Sequence, residues 1–313
     1  MNELVSIVIP TYKGEESLAR AIDSALSQTY EYKEIIVVDD NAPDSKERSI
    51  TENIMSRYKG IPNLRYVKRD NNGGIAAAKN TGIKNSKGVY VSFLDDDDYY
   101  LEERLEKCVS YLNEHPDMMG VYTGVDVYNK DKKITLRLRP DKNLAIPDIL
   151  LNEMAIGTGS NDFIRKDAIE KVGGHDETFL RRTDLEFMIR LCKIGAIGYI
   201  TECLVIKDVN STNTVPPYPK MKKTLKKYFN KFKDDIIALG PDKRLFFYRQ
   251  YRALLSVAMR DRNPDEIKEA ASLTRRYGKL GFKTSINVWL YIHGLRDMPL
   301  VLLAVKLKHI IFK

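Results

Sequence analysis

No apolar run in this 313-residue chain approaches the roughly 18 consecutive residues that cross a bilayer as a helix, which argues against a membrane span. Nor do residues 1–9 carry a basic head followed by a leader-like apolar stretch, so no secretory signal is expected there. Cysteine is scarce: Cys108, Cys192 and Cys203 are scattered, odd in number and without metal-ligand spacing. That excludes a disulfide-stapled fold and a cysteine-held metal, and the three are read as buried thiols of a protein in a reducing cytoplasm. Internal repeats and low-complexity tracts are absent as well. What is present is ordinary: 43% hydrophobic and 30% charged residues, enough for one large α/β domain and an appendage.

The net charge of +8 hides an asymmetry. Of 51 basic and 43 acidic residues, 22 and 8 lie in residues 220–313, leaving 29 and 35 in residues 1–219. An acidic part is thus joined to a basic one, which can meet nucleic acid, an anionic membrane surface, or only water.

Ser6-Ile7-Val8-Ile9 is a β-branched run closed by Pro10, after which Leu18, Ala21, Ile22 and Ala25 recur at helical spacing. The alternation continues, with strands predicted at 35–38, 64–67 and 89–94 and helices at 44–58 and 75–84. Alternating elements with continuously apolar strands imply an α/β fold, a mainly parallel sheet covered by helices on both faces. Beyond Asp98 the pattern changes to a helix over 101–113, a strand over 121–128 and a loop-rich stretch punctuated by Pro140 and Pro147. A short strand over 162–164, helices over 166–172 and 184–193, and a strand over 197–206 follow. Pro216-Pro217-Tyr218-Pro219 then marks a boundary, because neither a helix interior nor a central strand tolerates so many prolines. The expected domains are residues 1–215 and a basic helical region, 220–313, with helices at 225–239, 245–259 and 264–277 before two apolar-basic segments.

The run Phe93-Leu94-Asp95-Asp96-Asp97-Asp98 says most about chemistry. Four adjacent acids repel one another unless a cation or hydrogen-bond donors compensate. Mg²⁺ and Mn²⁺ do so with oxygen ligands. The apolar lead-in places the acids at a strand's carboxyl end, where open α/β sheets bind ligands, whereas an acidic run met at random is more often a solvated turn. Three further features fall at strand ends: Pro10-Thr11-Tyr12, Asp39-Asp40-Asn41 and Asn72-Gly73-Gly74. An aromatic ring beside a carboxylate can stack on a base while the carboxylate accepts an imide N–H, and glycines at a helix start let backbone approach an anion. Taken singly, Tyr12 reads more readily as a packing aromatic and Gly73-Gly74 as a simple turn; their order along the chain is what counts.

That order resembles the family 2 glycosyltransferases, inverting enzymes of the GT-A fold, over about residues 3–210. The matching stretches are Val5-Ser6-Ile7-Val8-Ile9-Pro10-Thr11-Tyr12, Ala21 to Tyr30, Glu34-Ile35-Ile36-Val37-Val38-Asp39-Asp40, Ala78-Lys79-Asn80-Thr81-Gly82, the acidic run, and Lys171-Val172-Gly173-Gly174-His175-Asp176-Glu177. The resemblance implies a Rossmann-like GT-A domain that moves a sugar from a UDP-sugar donor to an acceptor hydroxyl. Tyr12 and Asp40 would hold uracil, with Pro10, Thr11, Gly74, Lys79, Asp95 and Asp96 completing the nucleotide site. Asp95-Asp96-Asp97 corresponds to the D-x-D signature: Asp97 would bind Mn²⁺ or Mg²⁺ directly and Asp95 would contact the ribose or a metal-bound water. The metal would bridge the two phosphates. The segment Arg181-Arg182-Thr183-Asp184-Leu185-Glu186-Phe187-Met188-Ile189-Arg190 corresponds to E-D-x-D/E-L-x-x-R, with Asp184 as the general base. By position alone, Asp184 at a helix start is an ordinary N-cap.

The chain departs from the family pattern in places. Thr183-Asp184 stands for Glu-Asp, and Lys79 for an arginine, which keeps the charge but loses the planar fork. Relatives often place a metal-ligating histidine after the last strand; here none occurs between His175 and His293, and Asn210 or Asp208 is the nearest candidate. His175 is expected to pack or touch the acceptor rather than bind metal. Gly157-Thr158-Gly159-Ser160 corresponds to the acceptor side of the cleft, though its residues equally suit a turn.

Residues 298–312 interleave Leu, Val and Ile with Lys306, Lys308 and His309. This suits a helix lying on the inner face of the plasma membrane with its lysines among anionic headgroups, and equally a soluble helix with a basic face. On the membrane reading, a lipid-linked saccharide in cell-surface polysaccharide synthesis is the natural acceptor; a free saccharide is the other. A Mg²⁺-dependent phosphohydrolase fits poorly, since Tyr99-Tyr100 follows the aspartates. The non-enzymatic alternative is a nucleotide- or nucleic-acid-binding protein, but no nucleic-acid motif is present and no nucleic-acid partner is expected. The sugar, the linkage and the choice between UDP and dTDP are not written in the sequence.

Overall fold

The computed structural model describes residues 3–14, 16–129, 131, 133–151, 156–208 and 215–294. Strands β1 (Val5–Thr11), β2 (Lys33–Asp39), β3 (Leu64–Lys68) and β4 (Tyr90–Phe93) alternate with helices α1 (Glu16–Leu26), α2 (Lys46–Ser56) and α3 (Ile75–Asn85), as the spacing predicts. The four strands are parallel in the order β3-β2-β1-β4. Their register sets Thr11 opposite Asp39 and Val8 opposite Phe93, so the carboxyl ends of β1, β2 and β4 meet at one edge. β1 is buried on both faces. Val5, Ile7 and Ile9 share a core with Leu18, Ile22 and Ala25 of α1, while Val8 on the other face abuts Gly82 of α3. Each such side chain removed from water stabilises the fold by about 1.5–3 kcal/mol.

Past β4 come β5 (Tyr99–Tyr100), α4 (Arg104–Glu114), β6 (Gly120–Tyr128), β7 (Ile134–Leu138), α5 (Ile146–Leu151), a 3₁₀ turn at Gly159–Asn161, β8 (Phe163–Arg165), α6 (Lys166–Val172), α7 (Thr183–Cys192) and β9 (Ile197–Asp208). Here the sheet becomes mixed: it continues β4-β8-β6-β9-β5, with β8 antiparallel to both neighbours and β6 parallel to β9, while β7 pairs with β6 off this path. The stretch expected to be loop-rich thus holds β7 and α5. Ile134 and Leu136 do alternate along β7 but both stay exposed, so this edge strand hangs on its ladder with β6 and on Leu138, which packs against the core at its end. The three cysteines are free; Cys108 is buried, and Cys192 and Cys203 are partly exposed.

Residues 215–294 belong to a second compact unit. Its described part is helical: α8 (Tyr218–Lys231), α9 (Lys233–Ala238), α10 (Lys243–Asp261), α11 (Pro264–Tyr277) and α12 (Phe282–Ile292). Leu225, Leu254, Leu255, Ala258, Ile267 and Ala271 make its core. The proline cluster opens a helix as well as marking a boundary, because Pro219 sits in the first turn of α8, where its missing N–H has no intrahelical partner to lose. The single helix expected over 225–239 is two, meeting at Phe232, whose backbone (φ −110°, ψ 29°) leaves the helical region while its ring packs 5.0 Å from that of Tyr228. At α11 the Asn263 side chain caps the N–H groups of Asp265 and Glu266, with Pro264 in the first turn as expected. Among the described residues no helix is long and apolar enough to cross a membrane. The apolar-basic segment 298–312 and Asn210 lie outside the described residues.

Candidate active site

Of the four aspartates after β4, Asp96 and Asp98 are compensated by hydroxyl donors. Thr11, at the end of β1, donates its hydroxyl to Asp96 Oδ2 at 2.6 Å. Thr158 and Ser160 donate to Asp98 Oδ2 at 2.5 and 2.6 Å, and the Asp208 N–H reaches Asp98 Oδ1 at 3.3 Å. Burial pushes the carboxyls of Asp96 and Asp98 up to about 7, with the neighbouring Asp95 and Asp97 pushing the same way against these hydrogen bonds. The sequence offers Asp98 as a member of the acidic run and gives it no separate role, because its hydroxyl partners lie some 60 residues away, in the turn that the resemblance sets on the acceptor side of the cleft.

Asp95, Asp97 and Asp98 each bring a carboxylate oxygen within 4.8 Å of the others. An all-oxygen set suits a hard divalent cation, and Asp95 Oδ1 is buried without a hydrogen-bond partner, so the residues fit such an ion. Asp208, at the end of β9, lies against the same loop. Arg20 holds its carboxylate at 2.7 Å and the Asp97 carbonyl at 2.8 Å.

Lys79 rises from the middle of α3 and is 1% exposed. Its Nζ lies 3.4 Å from Asp95 Oδ1, donates to the Gly159 carbonyl at 3.2 Å, and sits 5.2 Å from the Phe93 ring centre. Burial works against its charge, but the carboxylates of Asp95, Asp162 and Asp184 outweigh it and hold its pKa above the ordinary lysine value. Gly159 is where these groups converge: a Cβ there would lie 2.9 Å from Lys79 Nζ, 3.3 Å from Asp95 Oδ2 and 3.8 Å from Asp184 Cβ.

Asp184 is half-buried in the first turn of α7, whose N-cap is Arg182 in the left-handed region (φ 66°). The carboxylate is therefore not the helix cap. Arg190 fixes this end of α7: it grips Glu186 through both oxygens and donates to the carbonyls of Val172 and Gly174. Asn80 clamps the same turn through the N–H and carbonyl of His175. The His175 ring stacks on Phe187 at 4.2 Å and meets Phe93 edge-on at 5.1 Å; burial lowers its pKa, so it packs as a neutral imidazole.

Across the strand ends, Asp40 is buried. Its carboxylate accepts the N–H groups of Gly73 and Gly74 at 3.0 and 2.7 Å and pairs with Arg69 at 2.8 Å. The anion at the glycine-led start of α3 is thus the protein's own, and Gly74, at φ 82°, takes a conformation that side chains disfavour. Tyr12 is 52% exposed beside it, where the Asp40 N–H pairs with the Thr11 carbonyl at 2.9 Å. Pro10 is buried within β1 and does not line the open edge.

Two solved structures share this architecture: Staphylococcus aureus TarS 1-349 in complex with UDP-GlcNAc (TM-score 0.55, 14% identity, 94% of this chain and 90% of that one) and the mannosyltransferase PcManGT from Pyrobaculum calidifontis in complex with GDP-Man and Mn²⁺ (0.55, 16%, 97% and 86%). The fold is that of the GT-A class. Residues 6–173 match the pattern of Glycosyl transferase family 2, and the chain belongs to that family. Among its relatives are an uncharacterized glycosyltransferase of Rickettsia bellii, 34% identical over 66% of this chain, and the poly(ribitol-phosphate) beta-N-acetylglucosaminyltransferase TarP of S. aureus, 30% identical over 67% of this chain and 64% of TarP. The chain spans only 29% of the length of the Rickettsia bellii protein.

Proposed function

We propose that this protein is an inverting glycosyltransferase that moves a hexosyl or N-acetylhexosaminyl group from a UDP-sugar to an acceptor hydroxyl with the help of Mn²⁺ or Mg²⁺. The convergence of Asp95, Lys79 and Asp184 around Gly159 carries the reading, because it sets a donor-side acid, a buried cation and a candidate base about one point. UDP-GlcNAc bound to TarS and the acetylglucosaminyl transfer named for TarP support the donor class; Mn²⁺ bound to PcManGT supports the ion.

In this reading Tyr12 offers its exposed face to the uracil, Asp40 orients the edge beneath it, and Thr11, Gly74 and Asp96 shape the nucleotide's seat, with Pro10 buried in β1 behind them. Asp97 and Asp95 hold the cation, and Asp98 steadies that loop through Thr158 and Ser160. The bound ion supplies charge stabilisation to the departing diphosphate. Lys79 adds a buried positive charge. Asp184 accepts the acceptor hydroxyl's proton as that oxygen attacks the anomeric carbon from the face opposite UDP. The acceptor is a saccharide, lipid-linked in cell-surface polysaccharide synthesis, and the protein works at the cytoplasmic face of the plasma membrane through its basic second unit.

Calorimetric titration of UDP with and without Mn²⁺ tests the donor site. Binding is expected to require Mn²⁺ and to be lost in Asp97→Ala, whereas Asp184→Asn should bind UDP normally and turn over UDP-GlcNAc at least ~100-fold more slowly. Near-normal turnover by Asp184→Asn would remove the base assignment. UDP binding indifferent to Mn²⁺ and Asp97 would favour a binding-only protein.

A further inference from the structure

Asp162 lies between the 3₁₀ turn and β8, its carbonyl bonded to the Phe93 N–H at 3.2 Å. Its side chain is 0% exposed, yet neither carboxylate oxygen has a hydrogen-bond partner among the described residues. A buried carboxylate in that state is costly and seldom kept without a use. Two cations act on it. Arg104 is held elsewhere through its terminal nitrogens, donating to Ser92 Oγ at 2.9 Å and to the Asn161 carbonyl at 3.0 Å, with its guanidinium 4.2 Å from the Tyr100 ring centre, while its Nε is buried without a hydrogen-bond partner and acts on Asp162 less than Lys79 does. The other is Lys79, which leans on Asp95 and the Gly159 carbonyl.

The site therefore holds one buried ammonium and three carboxylates that act on it, Asp95, Asp162 and Asp184, of which only Asp95 is paired with it and Asp184 is the candidate base. Asp95 is also the one on the donor side. Once it turns to a donor and cation, an ammonium 1% exposed would lose its ion-pair partner, an arrangement the interior tolerates poorly. Asp162 feels the same ammonium and has neither oxygen in a hydrogen bond among the described residues. We propose that Asp162 is a positioning residue for Lys79: it receives the ammonium when a bound donor draws Asp95 away, so that Lys79 keeps its charge and place beside the diphosphate. This rests on the donor-site reading above, and it gives the unpartnered carboxylate a role that the ligand-free protein does not.

The test is UDP binding with Mn²⁺ by calorimetry, together with thermal melting of the ligand-free full chain, for wild type, Asp162→Asn, Lys79→Met and the double variant. Asp162→Asn is expected to weaken UDP–Mn²⁺ binding at least ~10-fold without lowering the melting midpoint, since the ligand-free protein makes no bond through that carboxylate. In the Lys79→Met background the same substitution is expected to change binding less than ~2-fold, because the group it serves is gone. Unchanged binding by Asp162→Asn overturns the proposal. So does an equal loss in both backgrounds, or a binding loss that comes with a fall in melting midpoint or failure to fold, which would mark a structural residue. Wild type that fails to bind UDP with Mn²⁺ would instead overturn the donor reading, and this proposal with it.

Discussion

Burial pushes the Asp162 carboxyl up to about 8, with Lys79 working against the shift and Asp184 and Asp95 adding to it. A carboxyl whose pKa is higher folded than unfolded binds its proton more tightly in the folded state. Its contribution is full below the unfolded value of about 3.9 and is lost as pH rises towards the folded value. The ligand-free protein should therefore lose stability through this group between about pH 4 and 8. His175 acts in the opposite sense: burial lowers its pKa, so its contribution fades as pH falls below about 6.5. The two are separated by comparing melting midpoints at pH 5 and pH 8 in wild type and Asp162→Asn. Compared with wild type, the variant is expected to have the higher midpoint at pH 8 by more than at pH 5; the same difference at both would show that Asp162 titrates as an ordinary aspartate.

At the scale of elements, the seating of α3 on the sheet positions Lys79, and Gly82 permits it. A Cβ there would come within 2.1 Å of Val8 Cγ1, on a central strand with no room to yield. Helix propensity favours alanine over glycine by about 1 kcal/mol, but overpacking costs about 1–3 kcal/mol, and the buried clash should win. Gly82→Ala is expected to lower the denaturant midpoint, which urea unfolding followed by circular dichroism would measure; an increase would mean that α3 shifts freely. The elements from β1 to β4 were legible because their signal is local, with β-branched runs of one strand length separated by helical spacing. β5 was not legible, being two residues long and defined only by pairing with β9. Nor was the break between α8 and α9, where neither glycine nor proline stands at Phe232 and the buried ring sets the turn.

For the whole molecule, charge is the property that bears on location. Residues 215–294 carry 18 basic and 7 acidic side chains, and Phe282 and Ile286 of α12 stand exposed four positions apart on one helix. Co-flotation with vesicles rich in anionic lipid, weakened by salt and absent with neutral lipid, is the expected result. Protein that stays at the bottom of the gradient with anionic vesicles would sink the membrane reading. The sequence by itself determined the order of strands and helices in the first third, the strand-end acids and the family, because those depend on neighbours a few residues apart. It also carried Lys79, Asp95 and Asp184, but as separate motif positions. Only the tertiary structure decided that they share the space around Gly159, that Asp40 already fills the anion seat at α3, that Asp98 is held by Thr158 and Ser160, and that Asp162 lies buried beside Lys79 without a partner. Those facts depend on which side chains β4, α3, α7 and the 3₁₀ turn bring together across tens of residues. Burial and desolvation are set by that packing, and local spacing does not record it.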